Sequence, residues 1–534
     1  MLSTVDVVII LASMVFVVGV GAFAGRKRGD TAHGYFLGGN RMPWWLIGTA
    51  FVATGISSEQ MIGTVGITYE HGMGIANWEW FGLPPYTLIL VFFIPIYLKN
   101  KVTTVPGFLA DRFGPAVGTV YSCLLLFLYV FIYMSMVLYA GSLAFSHVTG
   151  WHFSVVLLLI AVGVGAYTIH GGLTSVMWAD LFQCILLMVG GITLFFVALN
   201  QIPGGWGAIV AAAPERMHLY QPPGHPMAPF LGMIFATFGA FTFYSVGNQS
   251  MIQRMLAARS TWDALMGMIL AQFINFLRPL VTCFLGLVIY QWIFVLHNSE
   301  PLANRDLAFT FALEKFAPVG VKGIVLAGLI AAVMATLSGL VNSTSTMFST
   351  DIYKKFIHKE ATDHEMVRIG RMTSFIALLV AACVSPIVGV LGGIFQFFQN
   401  ALVYIACPFM ATILMGILWK RVNYAAGLFG LVGGVIIQII CGVIFSGFFT
   451  ESLGIPKLHF FYIGGIGEVI IVFGIVIVTL LTAPPDYAKI APYLWSPKLL
   501  RAYDEGVCRP WYQQLKLWYI ITAVVWFAIY WWFW

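Results

Sequence analysis

Long apolar runs separated by short polar breaks set the pattern of this chain. A bilayer core takes about 20 residues of helix to cross. Fourteen runs reach that scale, at approximately 6–24, 43–69, 73–98, 117–147, 152–168, 176–199, 229–252, 264–294, 319–351, 367–391, 394–418, 424–447, 459–483 and 513–533. The polar stretches between them reach only about 25–30 residues, too few to bury a core of their own. The pattern predicts an all-α polytopic membrane protein with about 14 transmembrane helices.

Two spans are interrupted. Ala53-Thr54-Gly55-Ile56-Ser57-Ser58-Glu59-Gln60 lies near the middle of the second, and Phe243-Tyr244-Ser245-Val246-Gly247-Asn248-Gln249 lies in the seventh. A helix in lipid must satisfy its own backbone, so irregular backbone survives there only against protein or a water-filled cavity. The two interrupted spans open two blocks of five, spans 2–6 and 7–11. Five is odd, so the second block is inverted relative to the first. Interrupted helices in corresponding positions of inverted halves point to a transport site at the midplane. Small residues also let helices pack closely, but Glu59 and Gln60 exceed what packing requires. The expected division is an extra helix and cytoplasmic loop at 1–42, a first inverted repeat at 43–199, an extracellular loop at 200–228, a second repeat at 229–418, and three further helices at 419–534.

Composition agrees with a lipid solvent: 60% of the 534 residues are hydrophobic and 9% charged, against about 25% charged in soluble domains. The net charge of +6 is a matter of topology. With both termini outside, 21 of the 27 basic residues fall in or beside inside loops, as the positive-inside rule requires. No nucleic-acid partner is needed to explain them. The run 7–23 is followed, not preceded, by Arg26-Lys27-Arg28, which suits a retained first helix rather than a cleaved signal. The seven cysteines form no CxxC pair and the 11 histidines show no ligand spacing, so neither a zinc site nor an enzyme is indicated.

Polar residues inside spans supply the candidate chemistry. Glu79, within Asn77-Trp78-Glu79-Trp80, could accept hydrogen bonds from solute hydroxyls or simply face interfacial water. Asp180 is either a cation partner or a helix-start residue favoured by the dipole. Most hydroxyls of span 9 are expected to bond back to their own helix. Thr336 differs only if it faces the break in span 2, where free carbonyls and a hydroxyl could replace a small cation's water. Gln396 and Gln399, beside Phe395, pair donor with acceptor, which suits polyhydroxyl ligands. Tyr244 is a flat platform for a sugar or a packing residue. Arg278, before Pro279, either snorkels or pairs with an acid.

Several stretches together resemble the sodium/solute symporter family, in its sodium/glucose and sodium/galactose cotransporter branch, from about residue 35 to 420. They are Tyr35-Phe36-Leu37-Gly38-Gly39, Pro43-Trp44-Trp45, Ile56-Ser57-Ser58-Glu59-Gln60-Met61-Ile62-Gly63, Gly171-Gly172-Leu173-Thr174-Ser175-Val176 with Trp178 and Asp180, Asn248-Gln249 with Gln253-Arg254, and Asn342-Ser343-Thr344 with Asp351-Ile352-Tyr353-Lys354. The resemblance implies a five-plus-five inverted-repeat (LeuT-type) core and alternating access. It implies that Gln60, Glu79 and Gln399 hydrogen-bond a sugar, that Tyr244 is the inner gate, and that Trp78 and Phe395 belong to the outer gate. It places Na⁺ on the carbonyls of Ala53, Ile56 and Ala332 and the hydroxyl of Thr336, with Asp180 and Ser338 in cation coupling.

The chain departs from the family at several of these positions. Asn275 replaces a sugar-binding lysine, Gly55 replaces an asparagine, and Ala335-Thr336 replaces a pair of hydroxyls. Gly339 follows Ser338 where a second cation site would need two. The implied function is import of a sugar or sugar-like polyol with one Na⁺ by an integral inner-membrane protein. Ala335 keeps open a proton-coupled or uncoupled uniporter. Symport of a carboxylate, amino acid or nucleoside is the other alternative; an anionic cargo would want a positive group in the site, and Asn275 in place of lysine, with Glu79 nearby, argues against it.

Overall fold

In the computed structural model the apolar runs are helices, and residues 2–26, 31–388, 394–447, 449, 454–502 and 507–534 are described, without the side chains of Glu59, 394–401 and 501–502. Eleven helices among the described residues are long and apolar enough to cross a membrane. They are α1 (Thr4–Gly25), α4 (Met73–Lys99), α5 (Pro115–Thr149), α6 (Phe153–Leu199), α7 (Phe230–Gly247), α9 (Thr261–Val295), α10 (Val321–Ile357), α11 (Asp363–Val388), α13 (Tyr424–Phe445), α14 (Phe460–Leu481) and α15 (Leu515–Phe533). Between them lie α2 (Trp44–Gly55), α3 (Ser58–His71), α8 (Gln249–Leu256) and α12 (Ile394–Leu418).

Two physical features separate these eleven from the fourteen expected, and one further span, α12, is described only in part. The second span is broken into α2 and α3, each short of a full crossing, because Ile56 and Ser57 are extended (ψ 121° and 174°). The fifth and sixth spans are one 47-residue helix, α6, bent at Gly172; at about 1.5 Å per residue its two arms together reach roughly twice the bilayer core. The eleventh expected span is α12, a single helix of 25 residues whose side chains are described from Leu402 onward.

Gly172 makes that bend. Its backbone sits at φ 57°, ψ −152°, a region essentially restricted to glycine, and a Cβ there would lie 2.3 Å from Tyr35 O. Gly172→Ala is expected to lower the thermal unfolding midpoint of the detergent-purified protein by several degrees or prevent its accumulation, since the φ/ψ strain alone costs about 1–3 kcal/mol. An unchanged midpoint would show that the bend does not depend on this glycine.

The seventh span breaks where the sequence predicts. The chain leaves helical geometry at Asn248 (φ −76°, ψ 110°), whose side chain caps α8 by accepting from Ser250 N at 3.2 Å. Before the break, α7 is wound in wide π turns over Thr237–Phe241 and Phe243–Gly247, a distortion found mostly at functional sites. At the centre runs α10, buried on nearly every side from Gly323 to Met347, as a helix apolar all round should be. Its strip of small residues allows backbone contact: a Cβ on Gly328 would lie 3.2 Å from Leu187 Cα in α6. Of the later helices, α13 packs on α12 and α14, α14 packs on α12 and α7, and α15 is tied to α4 by Trp526 Nε1 donating to Trp80 O at 2.7 Å and Tyr530 OH donating to Asn77 Oδ1 at 2.6 Å.

Candidate functional site

The break between α2 and α3 opens onto a cavity of about 130 Å³, walled by α2, α4, α7 and α9, with Leu402 of α12 and Phe461 of α14 closing it. Its polar wall is one connected network. Gln60 Nε2 donates to Glu79 Oε1 at 2.6 Å, and Arg278 Nη1 pairs with Glu79 Oε2 at 2.9 Å. Arg278 also donates to Gln60 Oε1 at 3.0 Å, to Asn275 Oδ1 at 3.1 Å and to Gly55 O at 3.3 Å, and Asn275 Nδ2 donates to Tyr86 OH at 2.9 Å. Glu79 is 2% exposed, and a buried carboxylate is tolerable only with such partners. Pairing makes the site neutral overall while leaving it rich in donors and acceptors.

The expected solute residues Gln60, Glu79, Tyr244 and Asn275 are thus brought to one cavity, while Gln399 and Phe395 lie outside the described side chains. Tyr244 sits at the far wall with its hydroxyl 3.0 Å from that of Tyr133. Trp78 stacks into an aromatic cluster with Phe241 (5.8 Å) and Phe461 (5.2 Å), which lie 5.4 Å from each other. Just before α14, His459 Nδ1 accepts from Phe461 N at 3.2 Å. Burial, with His225 beside it, pushes its imidazole down to about 4, so this end of the aromatic cluster carries no charge at neutral pH.

A second set of oxygens lies behind the same break. Thr336 Oγ1 is 3.1 Å from Thr54 O and 3.4 Å from Ile56 O. Ala53, Ala332 and Ala335 are all buried alongside, but it is Thr54 whose carbonyl meets the hydroxyl most closely. Hard oxygens of this kind suit a small alkali cation. Thr54 also faces the other way: its hydroxyl, bonded to Ala50 O at 2.9 Å, reaches Asp180 Oδ2 at 3.4 Å. Asp180, fully buried, pairs with Arg254 Nη2 at 2.8 Å, and its Oδ1 has no hydrogen-bond partner among the described residues. Ser338 bonds back to Ala335 O at 3.0 Å. Gly339 makes room for the guanidinium, since a Cβ there would lie 2.9 Å from Arg254 Nη2.

Sequence reasoning placed the acids and left Arg278 either snorkelling or paired with an acid; the structure pairs it with Glu79, and Arg254 with Asp180. Arg278 supplies a positive group to the cavity, so the argument that Asn275 removes charge from the site does not hold: one helical turn along α9 restores it. The i, i+3 spacing of Asn275 and Arg278 was the available signal. Phe461 left no comparable mark, and Arg254 stood out only as part of the Gln253-Arg254 stretch of the family resemblance.

Comparison with known proteins bears on this geometry. The sequence profile described as Sodium:solute symporter family matches residues 35–434. The chain is similar to a sodium/glucose cotransporter of Vibrio parahaemolyticus, 33% identical over 460 residues that cover 81% of this chain and 84% of that one. It is also similar to the sodium/myo-inositol cotransporter of Bos taurus, 28% identical over 550 residues, covering 93% and 76%. Among solved structures, a substrate-bound outward-open Na⁺-coupled sialic acid symporter superposes with a TM-score of 0.79 at 21% identity, over 91% of this chain and 99% of that one; that likeness concerns the fold, which is of the LeuT type.

Proposed function

Since the chain belongs to the sodium:solute symporter family, we propose that it imports a sugar or sugar-like polyol together with Na⁺ by alternating access, through fourteen membrane crossings with both termini outside. It is a multi-pass membrane transporter and not an enzyme. The observation that carries the proposal is the neutral, hydrogen-bonding wall of Gln60, Glu79, Arg278 and Asn275 placed at a helix break whose carbonyls also face Thr336. Hydroxyls both donate and accept, so a polyol can bond this wall without carrying a charge into the membrane. The relatives named for glucose and myo-inositol support the same class.

In this reading Na⁺ enters from outside and sits on the oxygens of Thr54, Ile56 and Thr336, with Ala53 and Ala332 beside them, bridging the broken helix to α10. That fixes the wall on which Gln60 and Glu79 receive the solute, with Gln399 completing it from α12. Trp78 and Phe395 close the outer side. The halves then rock, Na⁺ leaves past Asp180, and the solute leaves past Tyr244. Each ligand drives the change by binding one state better than the other. One charge crossing 100 mV contributes about 2.3 kcal/mol, roughly 50-fold in accumulation. A second reading, an acidic solute, is favoured by one observation: the Arg278 guanidinium lines the cavity.

Uptake of labelled glucose, galactose, myo-inositol and sialic acid into proteoliposomes, with and without an inward Na⁺ gradient, tests this. Accumulation of a neutral polyol only with the gradient is the expected result. Sialic acid alone accumulating would select the second reading, and equilibration indifferent to Na⁺ would exclude coupling. Thr336→Ala is expected to raise the Na⁺ concentration for half-maximal uptake roughly ten- to hundredfold, the value of an oxygen on a charged partner at 1.5–3 kcal/mol. An unaltered Na⁺ response would place the cation elsewhere.

A further inference from the structure

Glu468 has no part in the site described above. Apart from the Tyr462 phenol it is the only ionisable side chain in α14; it lies inside that span and is 7% exposed. The helices packed along α14 beside Glu468 are α7, α12 and α13, and their sequences contain no Asp, Glu, Lys, Arg or His; α4 meets α14 two turns away, through Trp78 on Phe460 and Phe461. The titratable groups of the first three are Tyr244 on α7, Tyr404 and Cys407 on α12, and Tyr424 and Cys441 on α13, none charged at neutral pH. No salt bridge or hydrogen bond of the Glu468 carboxyl occurs among the described residues. A carboxylate here would therefore stand unpaired in the membrane interior, at a cost of several kcal/mol. Glu468 must keep a proton while the helices are packed in this way.

Its position gives that proton a consequence. A Cβ on Gly239 would lie 2.7 Å from Glu468 Oε2 and 2.8 Å from Cys407 Sγ, so the carboxyl rests directly on the α7 backbone. Gly239 belongs to the wide turn Thr237–Phe241, and the next two residues, Ala240 and Phe241, line the solute cavity from its other side. Two turns along α14 from Glu468, Phe461 lines the same cavity.

We propose that Glu468 is a proton-binding site within the membrane, occupied when α14 lies against the wide turn of α7, and that its release is linked to movement of α7 and so to solute transport. The step is a simple one: the carboxyl O–H bond breaks, the proton passes to water that reaches the site as α7 moves, and a carboxylate remains until the helices repack. The link to transport rests on the solute reading given above; the proton site does not.

Two measurements on the full chain in lipid test it. The infrared difference spectrum between about pH 6 and about pH 9 is expected to show loss of a carboxylic-acid C=O stretch that Glu468→Gln removes. No such band, or one that the substitution leaves unchanged, overturns the proton site. Solute uptake is expected to fall about tenfold for each pH unit above the midpoint in the native chain, as the protonated fraction does, and to lose that dependence in Glu468→Gln, which is a fixed neutral mimic. Identical pH profiles in the two would overturn the link. If neither transports any solute, the solute reading fails while the infrared result still decides the proton site.

Discussion

Glu79→Ala is expected to abolish Na⁺-driven uptake, and to do so by two separable routes. Glu79 touches Gln60 at 2.6 Å and Arg278 at 2.9 Å, and is almost wholly buried. Removing it takes away the acceptor proposed for solute hydroxyls and also strands the guanidinium without a counter-charge, a loss of about 3–5 kcal/mol for a broken buried pair. The single variant therefore unfolds more easily as well as failing to transport. Arg278→Met in the same chain removes the stranded charge. The double variant is expected to recover most of the native thermal midpoint while uptake stays at background, because both polar walls of the site are gone. Native-level uptake by the double variant would remove the pair from the solute site. Recovery of neither property would assign Glu79 and Arg278 to folding alone. Uptake of an acidic solute by Glu79→Ala alone would favour the second reading, since a free guanidinium then has only the solute to pair with.

The elements most legible in the sequence were those where the chain violates the rules of a lipid-embedded helix. Gly55 with Ser57 and Ser58, and Gly247 with Asn248, mark backbone that cannot be left in hydrocarbon, and both breaks occur there. Helix number was less legible, because hydropathy reads Ile169 to Ser175 as a loop. The structure keeps that stretch helical on both sides of a single glycine, held by the approach of Tyr35, and a contact across 137 residues leaves no trace in local composition. The same limit applies to the site. Glu79 stands out as an acid in an apolar run, yet its partner lies on a different helix, α9. Phe461, which closes the cavity, comes from α14, beyond the two repeats to which the interrupted helices point. Periodicity reports which residues are buried; it does not report which buried residues meet.

The second large effect is expected at Asp180. Thr54 joins it to the candidate Na⁺ oxygens: the Thr54 carbonyl meets Thr336 at 3.1 Å while its hydroxyl reaches Asp180 at 3.4 Å. Arg254 connects Asp180 to α8, which follows the second broken helix. One acid thus touches both interrupted elements, and its Oδ1, which has no hydrogen-bond partner among the described residues, is an oxygen that a departing cation could take up. Asp180→Asn preserves shape and one acceptor but leaves Arg254 buried without a counter-charge, so the resting arrangement of the two broken helices loses several kcal/mol. Uptake is expected to fall by about tenfold or more, since 1.4 kcal/mol already corresponds to a factor of ten, and what remains is expected to respond weakly to the Na⁺ gradient. Arg254→Met combined with Asp180→Asn separates the two causes. If the pair acts only as a brace, neutralising both partners restores Na⁺-driven uptake together with the thermal midpoint. If Asp180 receives the cation on its way out, the midpoint recovers and the Na⁺ response does not, because no anionic oxygen remains beside Thr54 to draw Na⁺ from the oxygens of α2 and α10.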